Sequence, residues 1–463
     1  MRNQESRRPS GMLRTASCLL AVATFLFAAA SPAWADDALA CATPCPPSQE
    51  AEGILPLPEY GGCWYRRPKL SGDWCGLRER WARKGVFLDF DWTQVAQGVV
   101  DGGLSDRWAH TTNLDLRATL DLMRMGAVPG ALVSLRAQSR FGETVNGDSG
   151  QILPVNTYGY FPYTATLDEE VPIALTELNW LQFASERFAF LLGKITTMSV
   201  ANEFAGGTGR SQFMNFQFIF PSAFAQVTPY STLSAGVVWM PSPRVTVSSL
   251  VMNTADSSTT SGFDDFDEGQ TWWTSATVTW RACRRPGGVT LGAAYAFGGE
   301  FARIGGLNID PSGTTLDTTS DSWAGFASGW QYLFTLEPPR DIDPEDGRQD
   351  LRGLGVFAIL GVGDEDANPV RRSVAAGVSG RGLIPGRCDD TLGVGYFYND
   401  LGDPIGAARL GRLLNDRTQG VEAYYTIALA GSIGLTLDAQ WLGSGFRVVE
   451  DAFLLGVRLN VDF

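Results

Sequence analysis

The final eleven residues, FLLGVRLNVDF, alternate: Phe453, Leu455, Val457, Leu459, Val461 and Phe463 are apolar, while Gly456, Arg458, Asn460 and Asp462 share the other phase. A period of two places successive side chains on opposite faces of a strand, so this segment has one apolar and one polar face. Such a face can turn to the core of a soluble sandwich or to the lipid around a barrel with a watery interior. The other strands decide between them.

The same period returns along the chain from Val86 onward. In TNLDLRATLDLM, Leu114, Leu116, Ala118, Leu120 and Leu122 oppose Asn113, Asp115, Arg117, Thr119 and Asp121. VEAYYTIAL and IGLTLDAQWL repeat it. Counting back from Phe463 gives about sixteen strands, with expected starts near 86, 111, 131, 172, 186, 230, 244, 271, 289, 324, 353, 372, 391, 420, 433 and 452. Connections alternate too. Tight turns fall at RMGAVPG, FASERF, MPSPR, RACRRPGG, IPGRCDD and ALAGS; long ones are expected near 140–171, 196–229, 254–270, 298–322, 364–371, 401–419 and 443–451. An even strand number with short turns at one end and long loops at the other is the pattern of an all-β, antiparallel transmembrane barrel of the bacterial outer membrane, with periplasmic turns and extracellular loops. Asp115, Arg117, Arg136, Glu177, Glu422, Asp438 and Arg458 occupy the polar phase. A lipid-facing Arg near the membrane midplane costs about 2–4 kcal/mol, so these side chains are expected to face the lumen.

The N-terminus indicates export. Four arginines precede the apolar run CLLAVATFLFAAA, and SPAWA supplies small residues for cleavage, so residues 1–35 read as a signal peptide. Losing four Arg and one Glu takes the formal charge from -14 to about -17, and no basic stripe points to nucleic acid. Residues 36–85 form a Pro- and Cys-rich periplasmic segment, in which Ser71 or Asp73 caps a short helix that Gly85 ends; residues 86–463 form the barrel. Six cysteines remain after cleavage, Cys41, Cys45, Cys63, Cys75, Cys283 and Cys388. An even count in an exported chain favours disulfides over metal ligation, and Cys283 is expected to pair with Cys388, or each with one of the N-terminal set. No cofactor or metal site is expected. The single histidine, His110, and the lack of a Gly-x-Ser-x-Gly elbow argue against a hydrolase.

Several stretches resemble the carbohydrate-selective porin (OprB) family of Gram-negative bacteria: LSGDWCGLRERWARKGVFLDFDWTQVAQG, ELNWLQFASERFAFLLGKITTM followed by NEFAGGTGRSQFMNFQF, and GLIPGRCDDTLGVGYFYND. The likeness spans about residues 70–463; the cysteines at 75, 283 and 388 and the Cys/Pro-rich lead-in depart from it. It implies a sixteen-strand barrel passing small sugars, narrowed by a loop folded inward, here about 196–229. Glu203, Arg210, Gln212 and Asn215 are that loop's polar side chains, among Phe204, Phe213, Phe216, Phe218 and Phe220. Sugar hydroxyls exchange water for side-chain hydrogen bonds while ring faces meet aromatics, so the expected pathway comprises Glu203, Arg210, Gln212, Phe213 and Asn215 with Asp115, Arg117, Arg136, Glu177 and Arg458 of the wall. The resemblance also implies outer-membrane lipid and, through the terminal Phe463, the barrel assembly machinery as partners, with a homotrimer as the assembly to test. A general or anion-preferring porin and a plugged structural barrel are the alternatives.

Overall fold

The structure, a computed structural model, describes residues 53–161, 165–166, 169–200, 209–310, 313–336, 351–402 and 414–463. The expected signal peptide, Cys41, Cys45, Glu203 and Phe204 lie outside them.

Sixteen antiparallel strands close into a barrel. They are β1 (Val86–Gly103), β2 (Trp108–Asp121), β3 (Ala131–Gly142), β4 (Ala174–Ser185), β5 (Phe188–Thr196), β6 (Ser231–Ser242), β7 (Val245–Asn253) and β8 (Gln270–Ala282). The second half comprises β9 (Arg285–Asp310), β10 (Gly313–Thr335), β11 (Gly353–Gly363), β12 (Val370–Arg381), β13 (Thr391–Leu401), β14 (Arg417–Ala430), β15 (Ile433–Gly443) and β16 (Glu450–Asp462). Each strand pairs with its neighbours in sequence, and β1 closes on β16, Val95 opposite Arg458 and Asp91 opposite Asp462. A closed ladder leaves no unpaired edge, which is why lipid tolerates it.

The alternation sets the two faces. In β16, Phe453 and Leu455 are exposed, whereas Leu454, Gly456, Arg458 and Asn460 are buried inside. Exposed aromatics stand near both ends of the outer wall, Trp180, Phe190, Trp239 and Trp280 toward the chain-terminal end and Trp272, Trp323, Tyr396, Trp441 and Phe453 toward the other, as two interfacial girdles require. Phe463 donates its N–H to the Phe90 carbonyl at 2.8 Å, and the two rings lie 5.3 Å apart. Both ends of the barrel-forming chain therefore meet at one rim, which is the periplasmic one.

Two expectations about connections need correction. The stretch 298–322 is not a loop: β9 and β10 run on as a long hairpin, with register shifts between Phe297 and Phe301 and between Ala302 and Leu307. Bulges let the ladder continue through the glycines at 298, 299, 305 and 306. The periplasmic ends of β10 and β11 are also separated by seventeen residues of sequence, where β8 and β9 are joined by the two-residue turn Cys283–Arg284. That turn has φ values of 51° and 66°, the left-handed pair of a type I′ hairpin.

Residues 53–85 lie across the periplasmic rim. The Asp121 carboxylate accepts the N–H groups of Ile54 (2.7 Å) and Leu55 (3.0 Å), and Gly431 donates to the Tyr65 carbonyl at 2.9 Å. The helix, α1 (Leu77–Arg83), begins after Gly76, with Asp73 accepting the Glu79 N–H at 2.7 Å and Gly85, at φ 86°, ending it. It turns Arg78 and Ala82 inward, while Trp81 is exposed. Arg78 lies 4.3 Å over the Tyr60 ring and 3.0 Å from Asp89.

The expected Cys283–Cys388 disulfide is not formed. Cys63, Cys75, Cys283 and Cys388 are all free and exposed. The hairpins carrying Cys283 and Cys388 are centred four strands apart, about 19 Å at the usual strand spacing, and a bridge needs Cα atoms within about 7 Å.

Candidate functional site

Register brings the lumen charges into two rows. Asp462, Asp91, Asp115 and Gln138 stand side by side on β16, β1, β2 and β3. One step toward the periplasm, Asp89, Arg117, Arg136 and Glu177 do the same on β1 to β4. Arg117 directly opposite Arg136 would repel, as would Asp91 beside Asp115 and Asp462. The rows cancel each other instead. Arg136 donates from Nε to both Asp115 oxygens at 3.0 Å and from Nη2 at 2.5 Å, and lies 3.3 Å from Glu177; Arg117 lies 3.1 Å from Asp115 and 4.0 Å from Asp91. Lys69, from the periplasmic segment, adds a bond of 2.7 Å to Asp89.

Two connections fold into this lumen. The first follows β5, and its described stretch 209–230 takes partners from across the barrel. The Glu422 carboxylate on β14 accepts the backbone N–H groups of Met214 (2.5 Å) and Asn215 (3.0 Å). Arg458 on β16 donates to the carbonyls of Gly209 (2.6 Å) and Gln212 (2.5 Å), and Asn460 donates to the Arg210 carbonyl. Arg210 itself bonds Asp462 and lies 3.5 Å from Asp91. Local sequence shapes the segment: Asn215 caps the turn Phe216–Phe218 by accepting the Gln217 N–H at 3.1 Å. Phe213 and Phe218, with centroids 4.5 Å apart, pack on Phe357, Phe397 and Tyr424 of the wall. Phe220 and Phe224 pack on Trp273.

The second inserted segment, 143–161, was expected to be an external loop. Asn113 donates to the carbonyls of Tyr158 and Phe161 at 3.1 Å, Arg140 donates to that of Gly159 at 2.7 Å, and the Tyr158 hydroxyl bonds Asp115 at 3.2 Å. The two segments also bond each other, Thr157 N–H to Met214 O at 2.9 Å and Phe216 N–H to Pro154 O at 3.0 Å. Gln440 on β15 serves both, donating to Val155 O at 3.1 Å and accepting from Asn215 Nδ2 at 3.1 Å.

These contacts divide the expected pathway residues. Asp115, Arg136, Phe213, Asn215 and Arg458 are buried in the joints between loops and wall. Arg117, with 43% of its side chain exposed, faces open space; Glu177 and Arg210 are 17% exposed and Gln212 is partly exposed. The sequence analysis did not single out Gln440 or Tyr158, and it placed Asn460 in the polar phase of the last strand without a role. Gln440 shares the polar phase with every other lumen residue and Tyr158 lies in an expected loop, so nothing local sets any of the three apart; each works by reaching a loop carbonyl or a carboxylate far away in the chain.

A sequence model described as the carbohydrate-selective porin, OprB family, matches residues 107–463. No curated protein sequence matches the chain. Among solved structures, the high-pH form of Pseudomonas putida OprB is similar to this chain at 18% identity and a TM-score of 0.72, covering 87% of this chain and 100% of its own. The low-pH form of the same protein gives 14% identity and a TM-score of 0.55, covering 86% and 99%. At these identities the likeness is one of fold.

Proposed function

Since this chain belongs to the carbohydrate-selective porin (OprB) family, and is thus an outer-membrane channel for small carbohydrates rather than an enzyme, we propose that its two inserted segments form the constriction that sugars cross. The observation that carries this reading is Gln440, one side chain hydrogen-bonded to both segments from the opposite wall. In this reading the expected site residues have two tasks. Asp115, Arg136, Phe213, Asn215 and Arg458 hold the segments in place, and Arg117, Glu177, Arg210 and Gln212 line the passage.

That lining suits a neutral polyhydroxylated solute. Carboxylates and guanidinium groups lie within ion-pair distance of one another, so the passage offers donors and acceptors with little net charge. A sugar can trade water for these groups one hydroxyl at a time, while an ion gains little. Outer-membrane lipid around the apolar band, the assembly machinery at the strand ending in Phe463, and a homotrimeric assembly are proposed with it. His110, exposed on β2, is given no part in the chemistry.

Liposome swelling with the refolded mature protein tests the reading, comparing glucose, a disaccharide and a charged solute of glucose size. Faster glucose passage than either of the others is the expected result. Passage by size alone would make the channel unselective, and no swelling would make the inserted segments a plug.

A further inference from the structure

Between the two inserted segments and the connections that follow β7, β11 and β13 lies a cavity of about 430 Å³. It is formed by connections that all lie at the extracellular end, so a solute arriving from outside reaches it before the constriction. Its volume falls within the roughly 300–1,000 Å³ of small-ligand sites.

We propose that this cavity is a docking station for a neutral hexose, which collects sugar from the medium ahead of the constriction; the inference rests on the porin reading above. Three observations support it. Tyr160 and Phe161 are partly exposed and T-stacked at 5.1 Å, and Phe161 is backed by Tyr230, parallel to it at 5.0 Å and 13°. A pyranose presents a face of C–H groups, and such a face fits an aromatic surface held rigid from behind. Gln226, partly exposed, lines the cavity, and its side chain makes no hydrogen bond among the described residues, so its amide offers both a donor and an acceptor to vicinal hydroxyls. Finally, no Lys or Arg is among the described lining residues, and the one carboxylate, Asp256, already accepts the Ser231 N–H (3.0 Å), the Ser258 N–H (3.0 Å) and the Ser258 hydroxyl (2.5 Å). Among the described residues an anion finds no counter-charge there, and a cation finds a carboxylate that three donors already satisfy.

The test is the concentration dependence of glucose uptake into liposomes holding the full mature protein. Wild-type uptake should saturate. In Phe161→Ala and in Gln226→Leu the half-saturating glucose concentration should rise by about three- to ten-fold, the equivalent of one ring contact or one hydrogen bond. Phe263→Ala, an exposed ring on the β7–β8 connection outside the cavity lining, should leave it unchanged. Should Phe161→Ala not refold, Gln226→Leu, at a partly exposed position, carries the test. Uptake linear in glucose for the wild type, or half-saturation unmoved in the refolded variants, would overturn the docking station and leave the porin reading intact. Competition of uptake by choline but by no second hexose would also overturn it, by making the cavity a cation site. Absence of any glucose uptake would instead overturn the porin reading.

Discussion

The backbone N–H of Met214 donates to the Glu422 carboxylate at 2.5 Å, joining a loop that leaves β5 to a strand 208 residues further along the chain. Asn215 donates to the second oxygen of the same group. One buried carboxylate thus holds two consecutive peptide groups of the constriction.

Glu422→Ala should loosen that loop. It strands two buried donors, at about 1–3 kcal/mol each, whereas Glu422→Gln keeps one acceptor. Single-channel recordings should show larger, noisier conductance in Glu422→Ala and an intermediate value in Glu422→Gln. Conductance equal to wild type in both would mean the loop is held without this joint.

Arg117 reaches open space while pairing Asp115 and Asp91. Replacing it with Ala removes positive charge from the passage without emptying a packed site. The reversal potential in a salt gradient should shift toward cation preference, with the unfolding midpoint nearly unchanged. A large loss of stability would place Arg117 among the structural joints.

Arg136 is the opposite case. It is buried against Asp115 and Glu177, and Arg136→Met leaves the half-exposed Arg117 as the one cation beside the buried Asp115, a loss of up to about 3–5 kcal/mol. Urea unfolding of the refolded barrel measures it. Adding Asp115→Asn should restore part of the loss, because the orphaned charge is then removed.

Asp390, in the periplasmic turn before β13, gives a pH dependence. Burial pushes its pKa up, but hydrogen bonds from Arg387 (2.7 Å), Tyr425 and the Ala428 N–H (2.9 Å) outweigh that and leave it below the ordinary aspartate range. A lowered folded-state pKa contributes stability that is fully present above the unfolded value of about 3.9 and fades as pH falls through the folded one. Asp390→Asn should therefore be less stable than wild type at neutral pH, and the two melting curves should converge as the pH is taken well below 4. A constant difference across that range would locate the effect in something other than the carboxylate's charge.

The strands were legible because the wall is built on a period of two. Expected starts at 86, 131, 353, 391 and 433 coincide with those of β1, β3, β11, β13 and β15. The start expected at 324 for β10 fell eleven residues late, since Thr314 to Ser322 is polar and reads as a loop, while the ladder depends on backbone pairing rather than on an apolar face. The inward fold of 143–161 left no trace at all. Its anchors are Asn113, Arg140 and Gln440, polar residues in the lumen phase, identical in pattern to residues that meet only water. The same ambiguity made Arg136 and Arg117 look alike, although one is a joint and the other lines space.

The constriction is built from parts that are far apart in the chain. The constriction loop follows β5, yet the groups that hold it, Glu422, Gln440, Arg458 and Asn460, belong to the last three strands. Without those strands the N–H groups of Met214 and Asn215 lose their carboxylate, and among the described residues Met214 keeps only the Thr157 contact to its carbonyl. The narrow passage is therefore a property of the closed barrel, shared between a loop from its first half and the strands that complete it.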